Sequence, residues 1–472
     1  MTAYDFEQAF DSLWLQDCVL SLQKIGVPVD ILHLIYNLNK NAKITVNTPY
    51  GITHPSLLND VVEQGTVLGP ILCSTSTAEY CESNIGVAVH NSVVSSLLWV
   101  DDALDLSLSS TNAEISHENA LFFGRKKKLT YSRKKCNSMV INGRKKDIPP
   151  NLYIEDIKME IVKFIEYLGD VINSKGDFSD LVDDRLKRGI VAMIRIEALV
   201  RETGLGVHTV NVHLLLYQSL FISCLLFNSQ AWGNMKDADF ERLEKLQLKC
   251  LKKILQLPQS TANSFVYLEF GELPIRYMID RNQLIFLHHI IHLDIEDPVR
   301  VMLEKMKKFV GERNWWNRVE KLLVKYRITQ ENVQNMSRDS YKELVKKRVR
   351  SVAFASLMEQ CGRKEKTKEL IYKALSPQEY LSQLYPNQAR AIIQGRSKTL
   401  SIKEHRPYAF KDMVCRRCKK ENETLNHVVN CGYEHEINAC EILDSGELSY
   451  ERKLMFTSIA LRINNFIEEV KT

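Results

Sequence analysis

Two groups of residues in this sequence have the types and the spacing to bind metal ions. In the first, the apolar run Leu97–Val100 leads straight into the adjacent carboxylates Asp101 and Asp102, and a further acidic residue, Asp5, lies near the start of the chain. Adjacent carboxylates repel each other, and at the end of a buried strand this is costly unless a cation or a solvent-filled cleft relieves it. A tight hairpin at the pair could turn both side chains toward one cleft. Taken alone, such a pair is more often found in a surface turn.

If Asp5 comes from a neighbouring strand, three carboxylates converge. Hard oxygen ligands of this kind suit Mg²⁺, which keeps several of its waters and also binds substrate phosphates. Two such ions could activate a hydroxyl nucleophile and stabilise a phosphate leaving group in an in-line displacement.

The second group is a cysteine–histidine segment. Cys415, Cys418, His427 and Cys431 form a C-x₂-C-x₈-H-x₃-C pattern. Two cysteines three apart fit a knuckle turn, and a histidine and a cysteine four apart lie on one face of a helix. This spacing predicts a tetrahedral, structural Zn²⁺ site in a segment too short to have a core, so that the metal supplies its folding energy.

Two alternatives to this zinc set stay open. His435 or Cys440 could replace Cys431 as the fourth ligand, or the cysteines could simply be reduced thiols on a loop.

Composition indicates a folded globular protein with a mild basic bias. The chain has 472 residues, of which 45% are apolar and 26% charged, and its net charge is +5. This is enough chain for two to four domains. The basic residues cluster in runs that suit a phosphate backbone or, equally, solvated helix faces. The runs are Arg125–Lys128, Arg133–Lys135, Arg144–Lys146, Lys346–Arg350 and Arg416–Lys420.

The cysteines and the apolar segments indicate the compartment. Eleven cysteines without a secretory signal favour reduced thiols or metal ligands over a disulfide framework. The longest apolar segment, Leu214–Phe227, is too short and too polar to span a bilayer and predicts a buried helix. We therefore expect a protein of the cytoplasm and nucleus with no membrane partner.

The elements that must position these groups change in character along the chain. Residues 1–175 mix short β-rich runs with helix-like stretches and turn signals, which predicts an α+β sheet domain. From 176 onward, three- and four-residue apolar spacing predicts helices, as in Asp237–Leu255. We divide the chain into 1–175, 176–300, a basic helical stretch 301–405, the zinc segment 406–440 and a C-terminal helix 441–472.

Five segments, in order, resemble the palm motifs of the reverse transcriptase of non-LTR (LINE-type) retrotransposons. They are Asp5–Asp11, Gln64–Pro70, Trp99–Asp102, Leu129–Ile141 and Tyr167–Gly169. Further along, Gln230–Gly233, Leu246–Pro258 and Glu269–Ile275 are similar to the helical thumb of these enzymes, and the zinc segment resembles their CCHC knuckle. The knuckle of those enzymes often has one residue more in its last spacing, and they usually have a smaller aromatic residue where this chain has Trp99.

The resemblance implies a fold, an activity and its ligands. It implies a polymerase palm sheet with packed helices, an all-α thumb and connection, and a small zinc knuckle. The activity would be RNA-directed DNA polymerisation with two Mg²⁺ ions, dNTPs, an RNA template and a DNA primer or target, and Zn²⁺ would be structural.

By the same resemblance, specific residues receive roles. Asp5, Asp101 and Asp102 would bind Mg²⁺, and Lys135 would act near the triphosphate, where it could protonate the leaving pyrophosphate. Tyr167, Leu168 and Gly169 would hold the primer end. The remaining residues, expected to contact the nucleotide or template, are Phe6, Phe10 (beneath the incoming sugar), Gln64, Gly65, Trp99 and Val100.

One departure from the family concerns the start of the sequence. Family members carry a fingers region before the first motif, whereas Met1 stands four residues before Asp5. The resemblance therefore predicts an N-terminally truncated enzyme with little activity as given. The alternative is a non-enzymatic nucleic-acid-binding zinc protein derived from a retroelement.

Overall fold

A computed structural model describes the chain except for residues 8, 41, 58–61, 63–65, 82–85, 90–91, 145–148, 202–204, 234, 310–313, 445–449 and 471–472. The described residues form two compact units. One comprises 1–181 and 295–304, and the other comprises 182–294 and 305–472.

The first unit is built on a five-stranded sheet. The described strands of this unit, in the sheet and outside it, are in chain order β1 (Thr2–Asp5), β2 (Lys43–Ile44), β3 (Asn47–Thr48), β4 (Gly51–Ile52), β5 (Ser56–Leu57), β6 (Val87–Val89), β7 (Ser92–Val94), β8 (Ser96–Trp99), β9 (Asp102–Asp105), β10 (Asn137–Ser138), β11 (Tyr153–Ile154), β12 (Ile157–Lys158), β13 (Glu160–Ile161), β14 (Phe164–Tyr167) and β15 (Asp170–Asn173). The sheet has the order β13-β10-β1-β9-β8, and the others form two-stranded ribbons. Neighbouring strands of the five-stranded sheet run antiparallel, except for β10 and β13, which run parallel to each other.

The two faces of this sheet are covered differently. The helices of this unit are α1 (Ala9–Ser12), α2 (Leu15–Lys24), α3 (Val29–Asn39), α4 (Gly69–Thr77) and α5 (Ser110–Lys127). One face turns Tyr4 and Ala103 into the main core, where residues of α5 also pack. The opposite face turns Ala3 and Leu104 toward Ile165 of the β14–β15 hairpin.

The second unit is helical. Helices α6 and α12 carry residues of both units. From here on the helices are α6 (Ser179–Arg201), α7 (Thr209–Leu216), α8 (Ser223–Leu225), α9 (Asp237–Ile254), α10 (Asn263–Phe270), α11 (Ile275–Ile291), α12 (Pro298–Lys308), α13 (Trp315–Lys325), α14 (Gln330–Asn335), α15 (Arg338–Gly362), α16 (Tyr380–Gln383), α17 (Pro386–Arg396), α18 (Leu425–Asn430), α19 (Ala439–Asp444) and α20 (Tyr450–Glu469). Helix α11 packs against α9, α13, α14 and α15, while α20 packs against α17, α18 and α19.

A buried ion pair holds this helical unit together. The carboxylate of Glu269 on α10 accepts hydrogen bonds from Arg396 on α17 (2.8 Å) and from the hydroxyls of Tyr372 (2.5 Å) and Tyr380. All four side chains are buried. A buried charge pair is tolerable only when the lone pairs are satisfied in this way, so the network ties α10, α16 and α17 into one core.

The expectation of a mixed α+β fold is confirmed, and every strand among the described residues belongs to the first unit. The period-based prediction for Asp237–Leu255 corresponds to α9. Leu214–Leu225 is helical, with a π-helical turn at Tyr217–Ile222, and the segment is buried only in part, since Leu215 and Phe227 are exposed. Strand β10 ends at Ser138, and Met139, the next residue, is buried.

Candidate metal sites

The cysteine–histidine set forms one compact cluster. The ligand atoms of Cys415, Cys418, His427 and Cys431 all lie within 4.8 Å of one another. The Cys415 and Cys431 sulfurs are 4.0 Å apart, and the Cys418 sulfur lies 3.4 Å from Nε2 of His427. A tetrahedral zinc ion, with bonds of about 2.3 Å to sulfur and 2.0 Å to nitrogen, separates its ligands by roughly 3.5–3.8 Å. The cluster therefore has the size of a zinc site.

Local structure explains how these four side chains meet. The amide of Cys415 donates to the carbonyl of Glu421 (2.6 Å), which closes a turn that carries the first two cysteines. Thr424 caps α18 by accepting from the amide of His427 (3.1 Å), and the amide of Cys431 donates to the carbonyl of His427 (2.7 Å). A turn and a short capped helix thus present two ligands each.

The surroundings of the cluster also suit a metal. Nδ1 of His427 lies 3.0 Å from a carboxylate oxygen of Glu421, a contact that leaves Nε2 directed at the cluster, as in carboxylate–histidine–zinc sites. Backbone N–H groups of Glu421 and Lys420 lower the pKa of Cys418 to about 6, whereas burial, and then the charge of Cys415, raises the pKa of Cys431 to about 12. Without a bound cation, the three cysteines of the cluster cannot easily all be ionised to thiolates.

The structure places Cys431 in the cluster with the other three residues. Cys440 is exposed and lies in the first turn of α19, and neither it nor His435 belongs to the cluster. The segment is also not without a core, because Leu425, Val428 and Val429 of α18 are buried. This corrects the expectation that metal alone supplies its folding energy.

The arginines of the knuckle are engaged internally. Arg416 donates to both carboxylate oxygens of buried Glu423 and to the carbonyl of Ser401 (2.7 Å). Arg417 donates to the carbonyl of Cys431 (2.7 Å) and pairs with Glu469. These side chains hold the knuckle in place, and the exposed basic residues that remain beside it are Lys419 and Lys420.

The acidic group is brought together by the central sheet. Asp5 ends β1 and pairs directly with Asp102, which begins β9. Residues directly opposite in antiparallel strands point to the same face with Cβ atoms about 5 Å apart. Trp99 of β8 pairs with Asp102 from the other side, and its ring is 64% exposed.

The turn between β8 and β9 consists of Val100 and Asp101. Val100 has φ 58°. A β-branched residue rarely adopts this left-handed conformation, and such backbone strain is found preferentially at functional sites. The tight hairpin expected at the aspartate pair is thus present, and it keeps Asp101 beside Asp102.

Lys135 neutralises part of this acidic group. Its Nζ lies 3.1 Å from Oδ1 of Asp5. That hydrogen bond, followed by the charge of Asp5 and then those of Asp101 and Asp102, raises the pKa of Lys135. Burial raises the pKa of Asp102, and the charges of Asp101 and Asp5 raise it further. The four side chains therefore interact as one electrostatic group.

The hairpin at Tyr167 lies beside this group. Leu168 (φ 48°) and Gly169 (φ 79°) form the two-residue turn between β14 and β15. Tyr167 packs on the same face of the sheet as Ala3, and burial, then the charge of Asp102, raises its pKa to about 12.

The other predicted site residues have different placements. Phe6 is 3% exposed and packs at a tilt against the ring of Tyr131 in the core, so its ring supports the sheet and does not face a ligand. Gln64 and Gly65 lie outside the described residues, as does the side chain of Phe10. Within the segment Gln64–Pro70, helix α4 begins at Gly69 and has Pro70 in its first turn.

The two groups differ in how closely their ligand atoms gather. Within the described residues, the cysteine–histidine set is the one group of three or more such side chains with metal-site spacing, and the three aspartates do not reach it. Sequence reasoning also missed Glu421 and the strain at Val100, because neither residue type signals its role by spacing.

No protein-family model and no curated protein matches the chain. No helix among the described residues combines the length and the apolar character needed to span a membrane.

Proposed function

We propose that this chain is an RNA-directed DNA polymerase of the non-LTR retrotransposon type, with Asp5, Asp101 and Asp102 as ligands of two Mg²⁺ ions. The observation that carries the proposal is the direct pairing of Asp5 with Asp102 beside the strained Val100–Asp101 turn. Three carboxylates lie at one end of a sheet, and burial, then the like charges of Asp101 and Asp5, raise the pKa of Asp102, so that a bound cation would be favourable.

The residues around the carboxylates suit transfer of a nucleotide to a primer. Mg²⁺, when bound, would supply a Lewis acid for the primer hydroxyl and the pyrophosphate. Lys135, whose Nζ now bonds Asp5, would donate its proton to the pyrophosphate as it leaves. The exposed ring of Trp99 offers a surface for the incoming dNTP, and the Tyr167 hairpin would hold the primer end.

The helical unit offers a surface for the template and primer. On α6, Lys187, Arg188 and Arg195 line a groove of about 380 Å³, whose apolar lining includes Val191. Isoleucines 190 and 194 of the same helix are exposed. An apolar strip bordered by cations suits contact with sugars and phosphates.

Zn²⁺ is the metal proposed for the cysteine–histidine cluster. Three sulfurs and one nitrogen with no open position suit a structural zinc ion, and the exposed Lys419 and Lys420 would contact nucleic acid.

Primer extension tests the polymerase. A DNA primer on an RNA template would be extended with Mg²⁺ and dNTPs, and extension would be abolished by Asp101→Ala but not by Asp156→Ala, an exposed aspartate in the β11–β12 turn of the same unit. The assay is run both on this chain and on a fusion of this chain with a fingers segment. Absence of extension in both forms would sink the enzymatic proposal.

A non-enzymatic zinc protein that binds nucleic acid is the second candidate. It is favoured by the fact that the cysteine–histidine cluster has metal-site spacing while the aspartates do not. It predicts salt-sensitive RNA binding that survives Asp101→Ala and falls with Cys418→Ser. RNA binding that is unchanged in Cys418→Ser, together with no zinc in the purified protein, would contradict it.

A further inference from the structure

We propose that a pocket in the second unit binds one unpaired nucleotide of an RNA or DNA strand, through its base and its phosphate. This proposal rests on the nucleic-acid binding in the proposed function but not on polymerase activity. The pocket, called here the α11–α15 pocket, lies between the C-terminal half of α11 and residues 334–341, where α14 ends and α15 begins. Its volume is about 800 Å³, within the range of small-molecule sites.

Stacked rings form one side of the pocket. Tyr341, His288 and His292 are arranged as a ladder, with centroid distances of 4.7 Å and 4.1 Å and interplanar angles of 24° at both steps. His288 is buried and its Nε2 contacts the carbonyl of Met336 (3.0 Å), which fixes the middle of the ladder. His292 is the exposed last ring.

A second pair of rings involves His289, the residue that follows His288. His289 stacks on Phe286 at 6.0 Å, and the Phe286 ring meets the edge of Trp315 at 5.9 Å. His289 is exposed and Phe286 partly so. Two exposed ring faces on one helix offer platforms for a planar base, and such stacking tolerates any base.

The opposite wall carries polar groups that complement a nucleotide. Gln334 and Asn335 are exposed amides that can bond the edge of a base. Arg338 is exposed in the first turn of α15, and among the described residues no ion pair or hydrogen bond engages its side chain. An arginine together with the N-terminus of a 25-residue helix suits a phosphate.

The charge of the side chains that line the pocket also favours a nucleotide. No acidic side chain is among the described residues that line it. Rings, amides and a free guanidinium without a carboxylate favour an anion that has a planar, polar face. A duplex would hide its bases from such a pocket, so the occupant is an unstacked nucleotide of a single strand.

Binding of a fluorescent oligonucleotide tests this proposal. The probes are 12-nucleotide RNA and DNA strands with one 2-aminopurine, whose fluorescence falls when it stacks on a ring. We expect His289→Ala combined with His292→Ala to weaken binding at least about fivefold and to reduce the quenching, since stacking on an aromatic ring contributes about 1–3 kcal/mol per base. Arg338→Ala should weaken binding by a similar factor while leaving the quenching of bound probe intact.

Matched variants control for charge and stability. His208→Ala removes an exposed histidine elsewhere in the same unit, and Arg363→Ala removes an exposed arginine at the C-terminal end of the same helix. Both should bind like the wild type. Pocket variants that bind and quench as these controls do, or a wild type that binds neither probe, would overturn the proposal.

The same assay separates this proposal from the polymerase. Asp101→Ala should bind the probes normally, because the pocket is built from other residues. If the pocket variants match the controls while the wild type extends primers, the pocket fails and the polymerase stands. If extension fails but the pocket effects are seen, the reverse holds.

Discussion

Replacing one thiolate of the cysteine–histidine cluster should weaken zinc binding by two orders of magnitude or more. Cys431 is 5% exposed and its sulfur lies 4.0 Å from that of Cys415. A serine there keeps the size of the side chain but does not ionise. Structural zinc sites of four ligands bind with about 10–16 kcal/mol, so that one ligand accounts for about 3 kcal/mol, roughly a hundredfold in affinity.

The fold should respond locally to the same change. Val428, Val429 and Phe466 are fully buried around the knuckle, and Arg417 joins it to α20. This packing does not depend on zinc, so Cys431→Ser should loosen residues near 413–431 and leave the rest of the helical unit folded.

Competition with a chromophoric chelator measures the affinity, and hydrogen exchange measures the local loosening. Cys440→Ser is the matched control, because this cysteine is exposed and lies outside the cluster. Equal zinc affinity in the two variants would refute the assignment of Cys431, and a wild type that binds no zinc would refute the site.

Three further predictions concern the core, pH and the acidic group. Glu269→Gln should lower the free energy of unfolding by about 3–5 kcal/mol, because Arg396 keeps a buried charge without its partner. Replacing both residues by apolar ones should cost less, and equal losses in denaturant titrations of the two variants would contradict this. Burial, and then the charges of Lys366 and Lys398, lower the pKa of His405 to about 3, so the folded protein binds fewer protons than the unfolded chain. The free energy of unfolding should therefore decrease as the pH falls below 6.5, by about 2 kcal/mol at pH 5. Thermal melts of His405→Leu should lack this pH dependence. Lys135→Met should strengthen Mn²⁺ binding, because the ammonium of Lys135 competes with the metal for Asp5, and it should slow primer extension about 10²-fold or more. Weaker Mn²⁺ binding of this variant, measured by electron paramagnetic resonance, would contradict the prediction.

The sequence predicts those parts of the structure that are set by local periodicity and by short spacing. Helix α9 follows from its apolar period, and the C-x₂-C turn with α18 follows from four ligands within 17 positions. The hairpin after Trp99 follows from an apolar strand that ends in two aspartates. In each case one segment carries the whole signal.

Other features depend on contacts between distant segments and were not foreseen. Glu269 and Arg396 are 127 residues apart, and nothing in either segment indicates that they pair in the core. Arg416 belongs to a basic run that suits a phosphate backbone or a solvated face, but Glu423 and Ser401 engage its side chain. Phe6 was expected near a nucleotide, but the fold uses it for packing against Tyr131.

The measurement that tests the central claim most directly is the binding of Mn²⁺ to the zinc-loaded protein, counted by electron paramagnetic resonance. The claim is that Asp5, Asp101 and Asp102, joined by the pairing of β1 with β9, share divalent cations. We predict that Asp5→Asn weakens Mn²⁺ binding at least about tenfold, as loss of a charged ligand should. Asp156→Asn, an exposed aspartate of the same unit, should leave it unchanged. Equal Mn²⁺ binding in the wild type and in Asp5→Asn would contradict the account.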